Sequence, residues 1–329
     1  MLTTARIHAA LALCLLVTVA SADTYRLLIT GSPPGPDNTN PATWLGVKQF
    51  EMNAGILSNL PEIPREQVSD PAGLAFNAAG QLFVGNRHGN NMPSSVSRFD
   101  YDAGTATYSA GGTISGNSLL GVHEVTFNPV SGELFAANVN GPISRFTFDG
   151  GGNAVANGTL GGGSLRGLAV SADGMRLYAS GASNSIQTFD LTTGMLVNTF
   201  AVPGASGLHN MSMGPGGDLY VSDINADGVF RLGFDGNGLP VFDSFIGGVD
   251  DALDVGFSPD ESEMLVTGHR SHILARFTYD AMNDAWVSAG QTDLGIPLGA
   301  ILTYVPEPSS VCLLAAAAAL SGRRFARGK

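Results

Sequence analysis

The sequence is poor in cysteine and in charge. Its 329 residues include only two cysteines, Cys14 and Cys312, and both lie in the terminal segments. The chain between them therefore offers neither a disulfide framework nor a thiolate metal site. Charged residues make up 13% of the sequence, whereas glycine occurs 44 times. This composition is typical of short strands joined by many tight turns.

Long hydrophobic runs are also missing. The apolar stretch at residues 9–19 is too short to cross a bilayer, which takes about 20 residues. It follows Arg6 and precedes Ala20-Ser21-Ala22, the pattern of a secretory signal peptide. We therefore expect residues 1–22 to be a signal peptide cleaved before Asp23, and the protein to be exported.

Basic residues are scarce between the two ends of the chain. Residues 23–304 keep 11 of the 16 basic residues and 27 of the 28 acidic ones, for a formal charge of −16. A surface of this sign repels nucleic acid and other anionic polymers and favours cations. We therefore expect no nucleic-acid partner.

The body of the chain repeats a pattern of short strands. Each repeat has an apolar strand, a turn with Gly or Asp and a second apolar strand, as in AGLAFNAAGQLFVGN and HEVTFNPVSGELFAAN. A third strand follows each time, as in VSRFDYD, and a fourth is weaker. Equivalent positions recur at spacings of 51, 43, 43 and 44 residues, at Phe76, Phe127, Val170, Met213 and Phe257. Four strands in 40–50 residues is the period of a β-propeller blade.

A sixth repeat is divided between the two ends of the body. LGAILTY, around Leu302, matches a first strand, while YRLLITG from Tyr25 and GVKQFEM from Gly46 match a second and a third strand. Completing one blade from both termini closes the ring and removes its free edges. We predict an all-β, monomeric, six-bladed β-propeller over residues 23–304. An open solenoid is the alternative.

Polar residues begin several of the predicted innermost strands, and in a propeller these positions face the central channel. The predicted pairs are Ala72-Gly73, His123-Glu124, Arg166-Gly167, His209-Asn210, Leu253-Asp254 and Leu298-Gly299. Imidazole, carboxylate and amide groups suit acid–base chemistry or cation binding. The hypothesis is that a small-ligand or metal site is lined by His123, Glu124, Arg166, His209, Asn210 and Asp254. The alternative is that they are ordinary polar residues at a wet channel mouth.

Three loops carry further candidates. In DINADG, the oxygens of Asp223, Asn225 and Asp227 alternate as in the first half of a calcium loop, but Phe234 stands where such a loop has Glu. Ca²⁺ or another divalent cation is therefore a candidate cofactor, and turn formation is the alternative. GNRHGNN and GHRSHI place His88, His269 and His272 on one predicted face.

The C-terminal segment, residues 305–329, resembles a known sorting signal. Val305-Pro306-Glu307-Pro308-Ser309 precedes a ten-residue apolar run and the pair Arg323-Arg324. These three parts, in this order, are similar to the PEP-CTERM signal of bacterial surface proteins. The resemblance implies transient membrane contact, processing by an exosortase near Pro306-Glu307-Pro308, and release to the cell surface or an extracellular polysaccharide matrix.

The turn and strand pattern of residues 25–304 resembles NHL-type and gluconolactonase-like six-bladed propellers. The gluconolactonase-like resemblance implies a divalent cation at the channel mouth, held by Glu, Asn and Asp. By position the ligands would fall on Ala72, His123, Arg166, His209 and Leu253. Residues of the right chemistry, Glu124, Asn210 and Asp254, come one position later.

Two functions remain open from the sequence. The favoured one is a non-catalytic exported propeller that binds an extracellular polysaccharide or a protein partner. The alternative is a hydrolase or lyase at the channel mouth, lactonase-like and with an optional metal. In that case His123 or His209 would be the base, and Arg166 would stabilise developing negative charge.

Overall fold

The computed structural model describes residues 24–31, 45–87, 93–102, 104–181 and 183–304. The predicted signal peptide, the sorting tail, His88 and residues 32–44 of the loop after the first strand lie outside these ranges. What is predicted for them stays a prediction. No helix in the described ranges is both long and apolar enough to cross a membrane.

The described residues form 24 strands in six antiparallel four-stranded sheets, which we number as blades 1 to 6. Blade 1 contains β4 (Pro71–Phe76), β5 (Leu82–Asn86), β6 (Pro93–Asp102) and β7 (Thr107–Leu120). Blade 2 contains β8 (Val122–Phe127), β9 (Leu134–Asn138), β10 (Ile143–Phe148) and β11 (Ala154–Leu160). Blade 3 contains β12 (Leu165–Val170), β13 (Arg176–Gly181), β14 (Ser185–Asp190) and β15 (Met195–Ala201).

The other three blades repeat this order. Blade 4 contains β16 (Leu208–Met213), β17 (Leu219–Asp223), β18 (Gly228–Phe234) and β19 (Pro240–Gly247). Blade 5 contains β20 (Ala252–Phe257), β21 (Glu263–Gly268), β22 (Ile273–Asp280) and β23 (Ala285–Asp293). Blade 6 contains β24 (Leu298–Tyr304), β1 (Thr24–Gly31), β2 (Val47–Asn53) and β3 (Ile56–Ile63). Two short 3₁₀ turns, Arg65–Gln67 and Pro215–Gly217, complete the regular structure of the described residues.

Both chain ends complete the sixth blade, as predicted. Strand β24 is hydrogen-bonded to β1 in an antiparallel register that runs from Arg26 opposite Tyr304 to Gly31 opposite Leu298. Because this pairing joins the last described strand to the first, the ring closes without a free inner edge. The prediction of a six-bladed all-β propeller is therefore confirmed.

The hydrophobic core lies between the blades. Six clusters of buried apolar side chains each join one blade to the next around the ring. Between blades 4 and 5, for example, Trp286 packs near Tyr220 and Phe257, and its indole N–H donates to the Tyr220 hydroxyl at 3.2 Å. Burying a large apolar side chain contributes about 1.5–3 kcal/mol. The second strands, such as the fully buried β9, are accordingly the most apolar.

A β-bulge near the start of every innermost strand directs side chains toward the channel. In β8, Val122 pairs with Asn138 and Glu124 with Ala137, so His123 is the extra residue. The same shift occurs in the innermost strands of the other blades. A bulge leaves one residue outside the ladder and changes the direction of its side chain. In blade 6 this register makes Gly299-Ala300 the channel pair, one residue later than the predicted Leu298-Gly299.

Candidate functional site

Aligned by these bulges, the innermost strands place their residues in three levels along the channel. The second residues of the six strands all line one cavity, the upper chamber: Ala72, His123, Arg166, His209, Leu253 and Gly299. The fourth residues all line a second one, the lower cavity: Leu74, Val125, Leu168, Met211, Val255 and Ile301. The third residues form a middle layer: Gly73, Glu124, Gly167, Asn210, Asp254 and Ala300.

Glycines in the middle layer make room for its polar side chains. A Cβ on Gly73 would stand 2.5 Å from Glu124 Cα and 2.8 Å from Glu124 Oε1. A Cβ on Gly167 would stand 2.4 Å from the His209 carbonyl oxygen and 2.8 Å from Asn210 Cα. The glycines of this layer therefore leave the space that the neighbouring polar residues Glu124 and Asn210 occupy.

The upper chamber has a volume of about 390 Å³ and a wall rich in basic side chains. Loops at the same end add three such residues to the strand residues already named: Arg87, His269 and Arg270. Asp251 is the carboxylate in its wall. The chamber is thus locally positive, although the whole chain has a formal charge of −12.

Two of the three arginines are neutralised and the third is not. Arg87 makes two hydrogen bonds to Asp70, at 2.8 and 3.0 Å, and Arg270 makes two to Asp251, at 3.0 and 2.8 Å. Among the described residues no carboxylate forms an ion pair with Arg166. Its Nε is buried and has no hydrogen-bond partner in the part of the chain that the structure describes. Arg166 is therefore the charge in this wall that is left for an anion.

The two channel histidines meet beside Arg166. The rings of His123 and His209 have centroids 4.6 Å apart, and Arg166 Nη1 lies 2.8 Å from His209 Nε2. His209 Nδ1 lies 3.1 Å from Asn210 Oδ1. His123 is only 4% exposed, and its Nδ1 finds no hydrogen-bond partner among the residues that the structure describes.

Burial keeps both imidazoles neutral. It is the largest cause that lowers the pKa of His123 well below its usual value, followed by the charges of His209 and Arg166. Burial and then Arg166 likewise lower the pKa of His209, and the hydrogen bond to Asn210 offsets only part of this. A neutral imidazole has a lone pair with which to accept a proton, so His123 can act as a base.

The acidic residues of the middle layer are buried and partnered. Asn210 Nδ2 donates to Glu124 Oε2 at 2.7 Å, and the Val125 N–H donates to Glu124 Oε1 at 2.8 Å. Asp254 accepts the backbone N–H groups of Val255 and Ile301, at 2.7 and 2.8 Å. Burial raises the pKa of Glu124 well above its usual value, and raises that of Asp254 to about 7.

These contacts do not suit a divalent cation at the channel mouth. The two carboxylates face the lower cavity, of about 670 Å³, and their oxygens already accept N–H donors. In the upper chamber the guanidinium of Arg166 lies against His209. The described part of the chain has no group of three or more His, Cys, Asp or Glu side chains placed to hold a metal.

The predicted calcium loop uses its first carboxylate to bind its own backbone. Asp223 is fully buried and accepts the N–H groups of Ser206, Gly207, Asn225 and Ala226. Asp227 Oδ1 accepts the N–H of Asp251. Asn225 lies in the wall of the upper chamber. The calcium site at Asp223, Asn225 and Asp227 stays a prediction.

The six predicted site residues therefore occupy two levels. His123, Arg166 and His209 share the upper chamber, whereas Glu124, Asn210 and Asp254 lie in the layer beneath it. Of the three residues that the loops add, His269 was a candidate from the sequence, whereas Arg87 and Arg270 were not. Their signal was present in GNRHGNN and GHRSHI, the two histidine-containing loops, but only the ring closure brings those loops to the channel.

Comparison with known proteins identifies the fold but no family. No protein-family model and no curated protein matches the chain. A protein from Bacteroides fragilis with a provisional assignment as a 6-phosphogluconolactonase is 16% identical, with a TM-score of 0.64, over 87% of this chain and 99% of that one. The periplasmic gluconolactonase of Pseudomonas aeruginosa is 16% identical, with a TM-score of 0.64, over 86% of this chain and 100% of that one.

A chain from a nidogen–laminin complex has the same overall shape. It is 12% identical, with a TM-score of 0.61, over 87% of this chain and 100% of that one. At these identities the likeness establishes the propeller fold alone, since one such fold carries unrelated functions. The protein is thus a six-bladed β-propeller with gluconolactonase-like structural neighbours.

Proposed function

We propose that the protein is a hydrolase that opens the ring ester of a small lactone in the upper chamber. The observation that carries this proposal is the neutral, buried His123 beside Arg166, which forms no ion pair with any carboxylate of the described residues. A base next to an unpaired cation is what addition of water to an ester carbonyl requires. The gluconolactonase-like structural neighbours support the same class of substrate.

His123 acts as the general base. It removes a proton from water while the water oxygen bonds to the lactone carbonyl carbon. The carbonyl electron pair moves onto oxygen, and Arg166 stabilises this oxyanion. The ring C–O bond then breaks, and the imidazolium of His123 returns its proton to the departing alkoxide. A positioned base contributes about 10²–10⁴-fold and one oxyanion donor about 10²–10³-fold.

The basic wall of the chamber favours ligands that carry negative charge or many oxygens. A volume of about 390 Å³ suits a sugar-sized molecule. Arg270 is held by Asp251 at a fixed position in the wall, where its remaining N–H groups can bind ligand oxygens. We therefore propose sugar-acid lactones as the substrate class.

The test is acid release from D-glucono-1,5-lactone and its 6-phosphate, followed in a pH-stat at pH 6.5 against the uncatalysed rate. We expect a saturable acceleration by the full chain that is lost in His123→Gln. No acceleration with either compound or with a wider lactone panel contradicts the proposal. Binding of gluconate without turnover would instead support the binding role that the sequence favours.

Export and surface localisation remain proposals of a separate kind. They rest on residues 1–22 and 305–329 of the sequence. Their test is cell fractionation of the full chain beside a variant in which Pro306-Glu307-Pro308 is replaced by alanines. A surface-exposed product that depends on this tripeptide is the expected result. An intracellular product of unchanged length contradicts it.

A further inference from the structure

Hydrogen bonds link a row of side chains from Arg166 to Glu124, and only one assignment of donors and acceptors is consistent along this row. A guanidinium donates hydrogen bonds and has no lone pair with which to accept one. Arg166 Nη1 must therefore donate to His209 Nε2 across their 2.8 Å contact. The proton of neutral His209 then lies on Nδ1, which donates to Asn210 Oδ1 at 3.1 Å. The remaining NH₂ group of Asn210 donates to Glu124 Oε2 at 2.7 Å, and it also hydrogen-bonds to the Asp254 side chain.

The opposite assignment of donors and acceptors fails at the contact between Arg166 and His209. If the Asn210 amide were turned, its NH₂ group would donate to His209 Nδ1 and the ring proton would move to Nε2. That N–H would then point at the N–H of Arg166, two donors with no acceptor between them. The arrangement thus depends on both ends, since Arg166 requires an acceptor and Glu124 supplies one.

The backbone around the two central residues is also held. The Ser180 hydroxyl donates to the His209 carbonyl, and the Ser222 hydroxyl lies between two carbonyl acceptors, that of Asn210 at 3.0 Å and that of Leu253 at 2.5 Å. His209 is 2% exposed and Asn210 is fully buried. In such surroundings a hydrogen bond is worth more, and an unpaired polar group costs more, than at the surface. Water is therefore poorly placed to replace a lost partner.

We infer that Asn210 and Glu124 are positioning residues that fix His209 as its Nδ1–H tautomer, so that the Nε2 lone pair of His209 holds the guanidinium of Arg166 in the chamber wall. His209 is then a support for Arg166 and not a second base. The catalytic consequence rests on the proposed hydrolase function. The tautomer of His209 does not, and it can be measured separately.

Glu124→Gln is the substitution that should exchange donors and acceptors along this row of hydrogen bonds. The backbone N–H groups of Leu74 and Val125 bond to the side chain at this position and retain the single oxygen of the substituted amide. The NH₂ group of that amide then faces the NH₂ group of Asn210. Rotation of the Asn210 amide relieves this contact, although it breaks the hydrogen bond from Asn210 to Asp254. It places an NH₂ donor on His209 Nδ1 and moves the ring proton to Nε2. Arg166 loses its acceptor as a result.

Asn210→Asp is the matched control. An aspartate oxygen still accepts the N–H of His209 Nδ1, so the tautomer is kept although the contact to Glu124 is lost. The readout is the two-bond ¹H–¹⁵N spectrum of the imidazole rings in the ¹⁵N-labelled full chain at pH 7. The His209 signals are assigned by their absence in His209→Asn.

We expect the Nδ1–H tautomer in the wild type and in Asn210→Asp, and the Nε2–H tautomer in Glu124→Gln. An Nε2–H tautomer in the wild type, or an unchanged Nδ1–H tautomer in folded Glu124→Gln, overturns the inference. An Nε2–H tautomer in the wild type overturns the inference even if a variant does not fold.

Activity supplies a second readout. If the protein hydrolyses lactones, kcat/KM of Glu124→Gln falls about tenfold or more, mainly in kcat, because Arg166 acts on the transition state. A lower kcat with an unchanged tautomer also contradicts the inference. If no lactone is hydrolysed, the proposed function fails and the spectra alone decide the role of Asn210 and Glu124.

Discussion

The imidazole rings of His123 and His209 face each other edge to face, at 69° and a centroid distance of 4.6 Å, although they come from blades 2 and 4. The blade between them supplies Arg166, which contacts His209. Two buried rings this close to a guanidinium are neutral, because each added positive charge would be repelled and poorly solvated. This makes one ring available as a base beside a fixed cation.

His123→Gln tests the base directly. Gln keeps a polar side chain of similar size but cannot take a proton. We expect kcat for lactone hydrolysis to fall by about 10²–10⁴-fold, with KM changed much less. Steady-state kinetics measure this. His272→Asn, which changes a histidine outside the chamber wall, is the control and should keep full activity.

Arg166→Gln tests the source of the low histidine pKa values. The charge of Arg166 is among the causes that lower the pKa of both His123 and His209. Removal of this charge should raise the pKa values of both histidines, and an NMR titration of the ring protons would detect the change. Arg270→Gln is the matched control, since Arg270 is not among the charges that lower the pKa of His123. Equal histidine pKa values in Arg166→Gln and Arg270→Gln would disprove this account.

The buried histidines should make the fold less stable in acid. Above about pH 6.5 they are neutral in the folded and in the unfolded chain, so they add no pH dependence. Below that pH the unfolded chain binds protons that the folded chain does not. The free energy of unfolding then falls, by up to about 1.4 kcal/mol per pH unit for each histidine.

The predicted fall in the free energy of unfolding can be measured by denaturant unfolding of the wild type and His123→Gln between pH 7.5 and 5. The variant should lose less stability than the wild type over that range, because one of the two buried histidines is gone. Glu124 and Asp254, whose pKa values are raised, give a slope of the opposite sign. They are present in both proteins, so the difference isolates His123. Parallel curves would show that His123 titrates normally.

Gly73→Ala and Gly167→Ala test the packing of the middle layer. Each new Cβ would come within 2.5 Å of backbone atoms of the next blade. We expect each substitution to destabilise the fold by about 1–3 kcal/mol, as overpacking does. Gly150→Ala, where nothing lies within 4 Å of the added Cβ, is the control. Equal unfolding midpoints for all three variants would mean that the layer adjusts freely.

Much of the architecture could be read from the sequence. The repeat spacing from Phe76 to Phe257 predicted the number of blades, and the strands around Tyr25 and Leu302 predicted the closure, since strand periodicity is a local property of the chain. The fourth strand of blade 6, Ile56–Ile63, was not predicted, because the outermost strand of a blade is largely exposed and needs no apolar pattern.

The candidate site was predicted in part. His123, Arg166 and His209 share a chamber, as the repeat alignment indicated. Their association with Arg87 and His269 was not predicted, because those residues follow second strands and reach the channel mouth through loops whose course no local pattern specifies. The separation of Glu124 and Asp254 into a lower level depends on the bulge at each innermost strand.

The local sequence was enough to predict the blade repeat, the closure from both ends and the residue types that begin each innermost strand. These are consequences of local pattern and of the need to bury apolar faces. Which of those residues meet, how they pair and which charges lack a partner among the described residues depend instead on how the blades pack together. This difference arises because hydrogen bonds and desolvation act over a few ångströms. Whether Arg166 meets a carboxylate or an imidazole is therefore decided by the position of neighbouring blades, on which the local sequence carries no information.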